Sequence, residues 1–175
     1  MSSAATVTVA DPAVRLPWAG VYVGSWSGGG SFALLMRDDR TGVFVGYSNS
    51  SRKAVVALAV SVDSAGRIAG LVEPLLTAAA EGAPGEPARA GLEGDYAVAG
   101  VFSADGSLTG SIDRLGLSFS ASGPARSSGL DRYAGFYRAG SAGGSARGYA
   151  LVAPSGEGVV ALFTGAVEDG ARVNV

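Results

Sequence analysis

Asp95-Tyr96-Ala97-Val98-Ala99-Gly100-Val101-Phe102-Ser103-Ala104-Asp105-Gly106-Ser107-Leu108-Thr109-Gly110-Ser111-Ile112-Asp113 is the stretch that decides the fold class. It reads as a strand over 95–102, a tight turn at Ala104-Asp105-Gly106 and a second strand over 107–113. The glycine supplies the positive φ that a hairpin turn needs. Two apolar runs so closely joined leave no room for a crossover helix, so they pair antiparallel. The rhythm recurs in both directions. Apolar runs at 20–27, 31–37, 42–48, 54–62 and 67–72 precede the hairpin, and one at 116–121 follows it. The chain then gives 132–139, 148–153, 159–163 and 171–175, and 6–10 reads as an extended arm before Asp11-Pro12. Ser64-Ala65-Gly66 and Glu168-Asp169-Gly170 read as further glycine turns, and 37–42 and 154–158 as longer polar loops. The pattern predicts an all-β, antiparallel meander of about 11–12 short strands, closed as a barrel or folded as a sandwich.

Composition narrows the function. The chain has 175 residues, of which 47% are hydrophobic and 16% charged. That is one domain, or one domain and part of a second, with ample apolar surface for a core. The net charge of −2 and pI of about 5.1 lack the basic footprint of a nucleic-acid binder. There is no His and no Cys. Their absence removes imidazole bases, Ser-His-Asp and Cys-His pairs, thiolate metal sites and disulfides. No cofactor motif and no metal-ligand cluster is present. The first ten residues lack a basic start and a long apolar run, so they do not read as a signal peptide. No apolar run is long enough to span a bilayer as a helix. Location at the cell surface or outside it is expected if the chain belongs to a longer exported protein; the cytosol stays open.

The chain divides into an extended arm at 1–17, a main β domain at 18–130 and a unit at 131–175. The stretch 74–94 breaks the rhythm of the main domain, and its Pro84-Gly85-Glu86-Pro87 rules out regular structure, so it reads as a long surface excursion. The last unit echoes 18–62. Trp18-Ala19-Gly20-Val21-Tyr22 matches Tyr133-Ala134-Gly135-Phe136-Tyr137, and Phe32-Ala33-Leu34-Leu35 matches Tyr149-Ala150-Leu151-Val152. Gly42-Val43-Phe44-Val45 matches Gly158-Val159-Val160-Ala161, and the run 54–62 matches 171–175. Either the last unit begins a second copy, or its strands pair with the early ones and complete the same domain.

Few residues invite chemistry. Trp18, Tyr22, Trp26 and Tyr47 crowd the first hairpins, and Tyr22 and Trp26 have the parity to share one strand face. They form either an aromatic platform for a carbohydrate or small apolar ligand, or an ordinary sheet core. Gly28-Gly29-Gly30 precedes a strand, not a helix, so it lacks the setting of a phosphate cradle. Asp38-Asp39 and Glu168-Asp169 are paired acids placed in turns, where solvated carboxylates are the plain reading. Ser50-Ser51-Arg52-Lys53 matches S-x-x-K without its companion motifs. The run 54–62 is continuously apolar, as in a strand covered on both faces.

Two short resemblances add expectations. Gly24-Ser25-Trp26, early in a meander, is similar to the opening strand of lipocalin and avidin barrels. The stretch 101–110, followed by Leu117-Ser118-Phe119-Ser120, resembles a strand pair of bacterial surface β-barrels. Neither carries over a functional residue. The leading expectation is a non-enzymatic β module of a bacterial surface or secreted protein, serving adhesion, spacing or self-assembly. Its partners would be itself or neighbouring modules, joined through strand edges. The assembly edge would be the last run: Ala171, Arg172, Val173, Asn174 and Val175. The alternative is a small-ligand barrel lined by the aromatic residues. A carboxylate glycosidase is the residual enzymatic reading.

Overall fold

Eight strands close into a barrel in which chain neighbours are also sheet neighbours. The strands are β1 (Gly20–Trp26), β2 (Gly30–Met36), β3 (Thr41–Ser48), β4 (Lys53–Val62), β5 (Arg67–Leu71), β6 (Ala97–Phe102), β7 (Leu108–Ile112) and β8 (Leu117–Ala121). All pairings are antiparallel, and β1 meets β8 through Ser25↔Ser120 and Trp26↔Phe119. A 3-10 turn at Asp131–Tyr133 precedes β9 (Gly135–Gly140), β10 (Ala146–Val152), β11 (Glu157–Thr164) and β12 (Val167–Asn174). These four form a separate sheet in the order β12-β11-β10-β9. The computed structural model describes residues 16–27, 29–49, 53–72, 97–113, 115–129, 131–140, 146–164 and 167–174. The arm at 6–10, the excursion at 74–94, and Val175 lie outside them.

Alternation sorts the barrel's side chains. Leu108, Ile112, Leu117, Phe119 and Ala121 point in and are buried, whereas Thr109, Ser118 and Ser120 point out and are exposed. On β7 and β8 this is apolar inside and polar outside, the reverse of a membrane-spanning barrel. No described helix is long and apolar enough to cross a membrane.

The continuously apolar run 54–62 has two causes. Val55 and Ala57 face the barrel core, while Ala54 and Val56 lie under the second sheet, so both faces are covered. Between the pairs Phe44↔Ala57 and Gly42↔Val60, β4 carries one extra residue. This bulge switches the inward parity from Val55 and Ala57 to Val60 and Val62.

Among the described residues one turn is used four times. At 37–41, 63–67, 103–107 and 153–157 the first residue's N–H donates to the fifth residue's carbonyl, and the fourth residue's N–H to the first's. The fourth position has positive φ: Arg40 (69°), Gly66 (79°), Gly106 (84°) and Gly156 (85°). Only Arg40 is not a glycine, although L side chains disfavour that region.

The echo is structural. Gly20↔Met36↔Gly42 in the barrel corresponds to Gly135↔Val152↔Gly158 in the sheet, with equal turns between the last two strands. Tyr22 Oη donates to the Trp18 carbonyl at 3.2 Å, and Tyr137 Oη to the Tyr133 carbonyl at 2.7 Å. The sheet packs on the barrel by equivalent outer faces. Ala33, Val43 and Val45 meet their counterparts Tyr149, Val159 and Ala161 in one buried cluster. Phe136 and Phe163 flank the buried Tyr149 ring.

Glu168-Asp169-Gly170, expected to be a turn, lies inside β12, pairing with Phe163, Leu162 and Ala161 of β11. Gly170 serves close approach, not positive φ. A Cβ there would lie 2.6 Å from Cβ and Cγ of Tyr47. Local composition favoured a turn, and eight consecutive pairings along β11 overrode it.

Candidate functional site

The aromatic residues separate. Trp26 makes edge-on contacts with Phe32, Phe44 and Phe119 at centroid distances of 6.3, 5.7 and 6.0 Å. Its Nε1 donates to the Ser31 carbonyl at 2.6 Å. Phe32 stacks on Phe44 at 5.4 Å, and Phe119 tilts against both. The glycines beneath these rings have no room for a side chain: a Cβ on Gly46 would clash with Trp26, and one on Gly110 with Phe119. Tyr22 is fully buried beside Phe102, and Trp18 stacks on that ring from the barrel end at 5.9 Å. Burial raises the Tyr22 pKa. Tyr22 and Trp26 thus share the barrel interior, Trp18 covers its end, and Tyr47 sits outside against β12. The four form no common platform. The rings of Tyr22, Trp26, Phe32, Phe44 and Phe119 lie buried in contact with other rings inside the barrel.

The acids hold turns. Asp39 Oδ1 accepts from Thr41 N at 2.9 Å and Thr41 Oγ1 at 2.6 Å; Asp105 accepts the same pair from Ser107 at 2.9 and 2.7 Å. These bonds depress both carboxyl pKa values, chiefly through Thr41 and Ser107. A general acid needs the opposite shift. No group of three potential metal ligands occurs among the described residues.

The second sheet packs one face on the barrel and turns the other away from it. Among the described residues β9 pairs only with β10, and β12 only with β11. Of the expected assembly edge, Ala171, Arg172, Val173 and Asn174 lie on β12. Arg172 Nη2 pairs with Glu157 Oε1 across to β11 at 2.7 Å, an exposed contact that adds little to stability. The face turned away from the barrel carries Tyr137, Ala139, Ala150, Val160, Leu162 and Val173. All are at least partly exposed, Tyr137 by 48% and Leu162 by 45%. The opposite face packs Tyr149, Leu151, Val159, Ala161 and Phe163 on the barrel, with the exposed Arg138, Arg147 and Arg172 on the same side by register. A sheet with one wet face should alternate apolar and polar.

Sequence reasoning missed this open face. Its signal was present in the runs Tyr149-Ala150-Leu151-Val152 and Val159-Val160-Ala161-Leu162-Phe163, which do not alternate. Each open-face residue occupies a position that lines the barrel in the first copy: Tyr137 that of Tyr22, Ala150 that of Leu34, Val160 that of Phe44. No protein family model, curated protein or solved structure matches the chain.

Proposed function

We propose that this chain is a non-enzymatic β module that associates through the edges and open face of its four-stranded sheet. The observation that carries the reading is a face whose described side chains include Tyr137, Val160 and Leu162, in the place of a barrel lining, on a sheet whose outer strands pair with no further described strand. Exposed strand edges are the usual physical means of joining β proteins. Aromatic rings packed on one another inside the barrel and carboxylates committed to turns both favour assembly over ligand capture or hydrolysis. The lack of His and Cys points the same way. Adhesion or spacing as part of a bacterial surface or secreted protein is the setting we propose for it.

Light scattering across a concentration series tests the reading. The native chain should gain mass with concentration. Leu162→Asp should abolish that gain, because it puts a charge on the open face. Trp fluorescence of the barrel should be unchanged, since Leu162 is outside its core. A native chain that stays monomeric at every concentration sinks the proposal.

A further inference from the structure

The barrel itself indicates what the open sheet accepts. It is built from two similar halves, β1–β4 and β5–β8, related by a half turn about its axis. The turns at 37–41 and 103–107 share their hydrogen bonds and the positive φ of the fourth residue. Ile68 takes the place of Tyr22, Gly70 that of Gly24 and Phe119 that of Ala57, judged by their pairing partners. The two seams between the halves also agree. The β4–β5 seam pairs Val60 with Gly70. The counterparts of those residues are Ala121 and Gly24, and Ser25↔Ser120 with Trp26↔Phe119 sets that same register at the β8–β1 seam. A four-stranded half of this pattern therefore closes with another half of the same kind.

Strands β9–β12 form such a half, matched to β1–β4. We propose that two copies of this chain share a second eight-stranded barrel, each contributing its β9–β12 sheet about a two-fold axis along the barrel. This deepens, and rests on, the edge-association reading. Strand directions allow it: with the axis along the strands, β12 of one copy runs antiparallel to β9 of the other, twice. Closure removes both edges and buries the open faces of Tyr137, Val160 and Leu162 against their symmetry mates. The first barrel's seams fix the register. Val173 corresponds to Val60 and Ala139 to Gly24, so Val173 should lie opposite Ala139 of the second copy, both side chains inward. Ala150 and Val160 are smaller than Leu34 and Phe44, so the shared barrel would be flatter than the first.

The chain has no cysteine, which makes a crosslink unambiguous. The double variant Ala139→Cys/Val173→Cys should, on mild oxidation, give a covalent dimer and nothing larger. Within one copy these positions lie on opposite edges of the sheet. The separation is three strand spacings or more, roughly 14 Å, beyond the reach of a disulfide. Trp fluorescence verifies that the variant keeps its barrel. A ladder of larger covalent species would overturn closure in favour of open polymerisation, leaving edge association standing. Association by light scattering without a crosslink would overturn the shared barrel in the same way. A strict monomer would overturn both this inference and the reading beneath it.

Discussion

The first three strands of the barrel and the first three of the second sheet have the same pairing, the same turn between their second and third strands, and the same tyrosine hydrogen bond; the fourth strands differ by the β4 bulge. Their surroundings differ. Tyr22 is fully buried within a barrel; Tyr137, its counterpart, is 48% exposed. The first set was given four complementary strands by its own chain, and the second was not given them among the described residues. Local pairing rules thus set which side chains share a face. Closure sets whether that face is a core.

The largest expected effect sets core against open face. Trp26→Ala or Phe44→Ala empties space that four rings fill, and should cost about 3–5 kcal/mol in denaturant unfolding. Leu162→Ala on the open face should change the monomer by no more than about 0.5 kcal/mol. Equal losses at the two sites would end the distinction between them.

Next come the glycines under the rings. Gly110→Ala, whose Cβ would strike Phe119 and the Ala99 carbonyl, should destabilise by about 1–3 kcal/mol through overpacking. Gly148→Ala meets only the Leu162 Cδ2, at 3.1 Å, and Ala139 Cβ, at 3.9 Å. It should be tolerated, because an exposed leucine end can move. Comparing the two midpoints measures how much tighter the closed half is.

Two substitutions should stabilise slightly. Arg40→Gly supplies the residue that the other three turns already have, and should gain about 0.5–1 kcal/mol. Tyr149→Phe removes a buried hydroxyl with no hydrogen-bond partner at the junction of barrel and sheet. It should be neutral or raise stability by up to about 1 kcal/mol, seen as a higher melting temperature. A clear loss in the tyrosine variant would mean the hydroxyl has a partner after all.

The smallest effect is on acidification. Asp39 and Asp105 have depressed pKa values in the folded state, so their contribution is present above the ordinary carboxylate range. It is lost as pH falls through the folded values, because the unfolded state then binds more protons. Asp39→Asn and Asp105→Asn should flatten a melting-temperature profile on that acidic limb. Both turns are exposed, so the change should be slight.

Much of this was legible. Glycine turns and short apolar runs identified the strands of the barrel, and the all-β antiparallel fold followed from them. The echo between Trp18–Tyr22 and Tyr133–Tyr137 pointed to paired elements that share one hydrogen bond. Other features were not legible for physical reasons. The β4 bulge is decided by the fit between β3 and β4, which no local pattern carries. Gly170 resembled a turn glycine because closeness to Tyr47, the actual constraint, is a tertiary contact. Tyr47 resembled its aromatic neighbours because strand parity assigns a face without saying what lies beyond it.

The sequence by itself determined the local events: where strands run, where they turn, and which residues share a face. Those depend on backbone preferences and on period-two alternation, which act over a few residues. Only the tertiary structure decided that β8 returns to β1, that two equivalent outer faces pack together, and that β9–β12 form a sheet separate from the barrel. Closure joins residues nearly a hundred positions apart, as in Ser25↔Ser120. It depends on whether the whole set of strands can satisfy every edge at once.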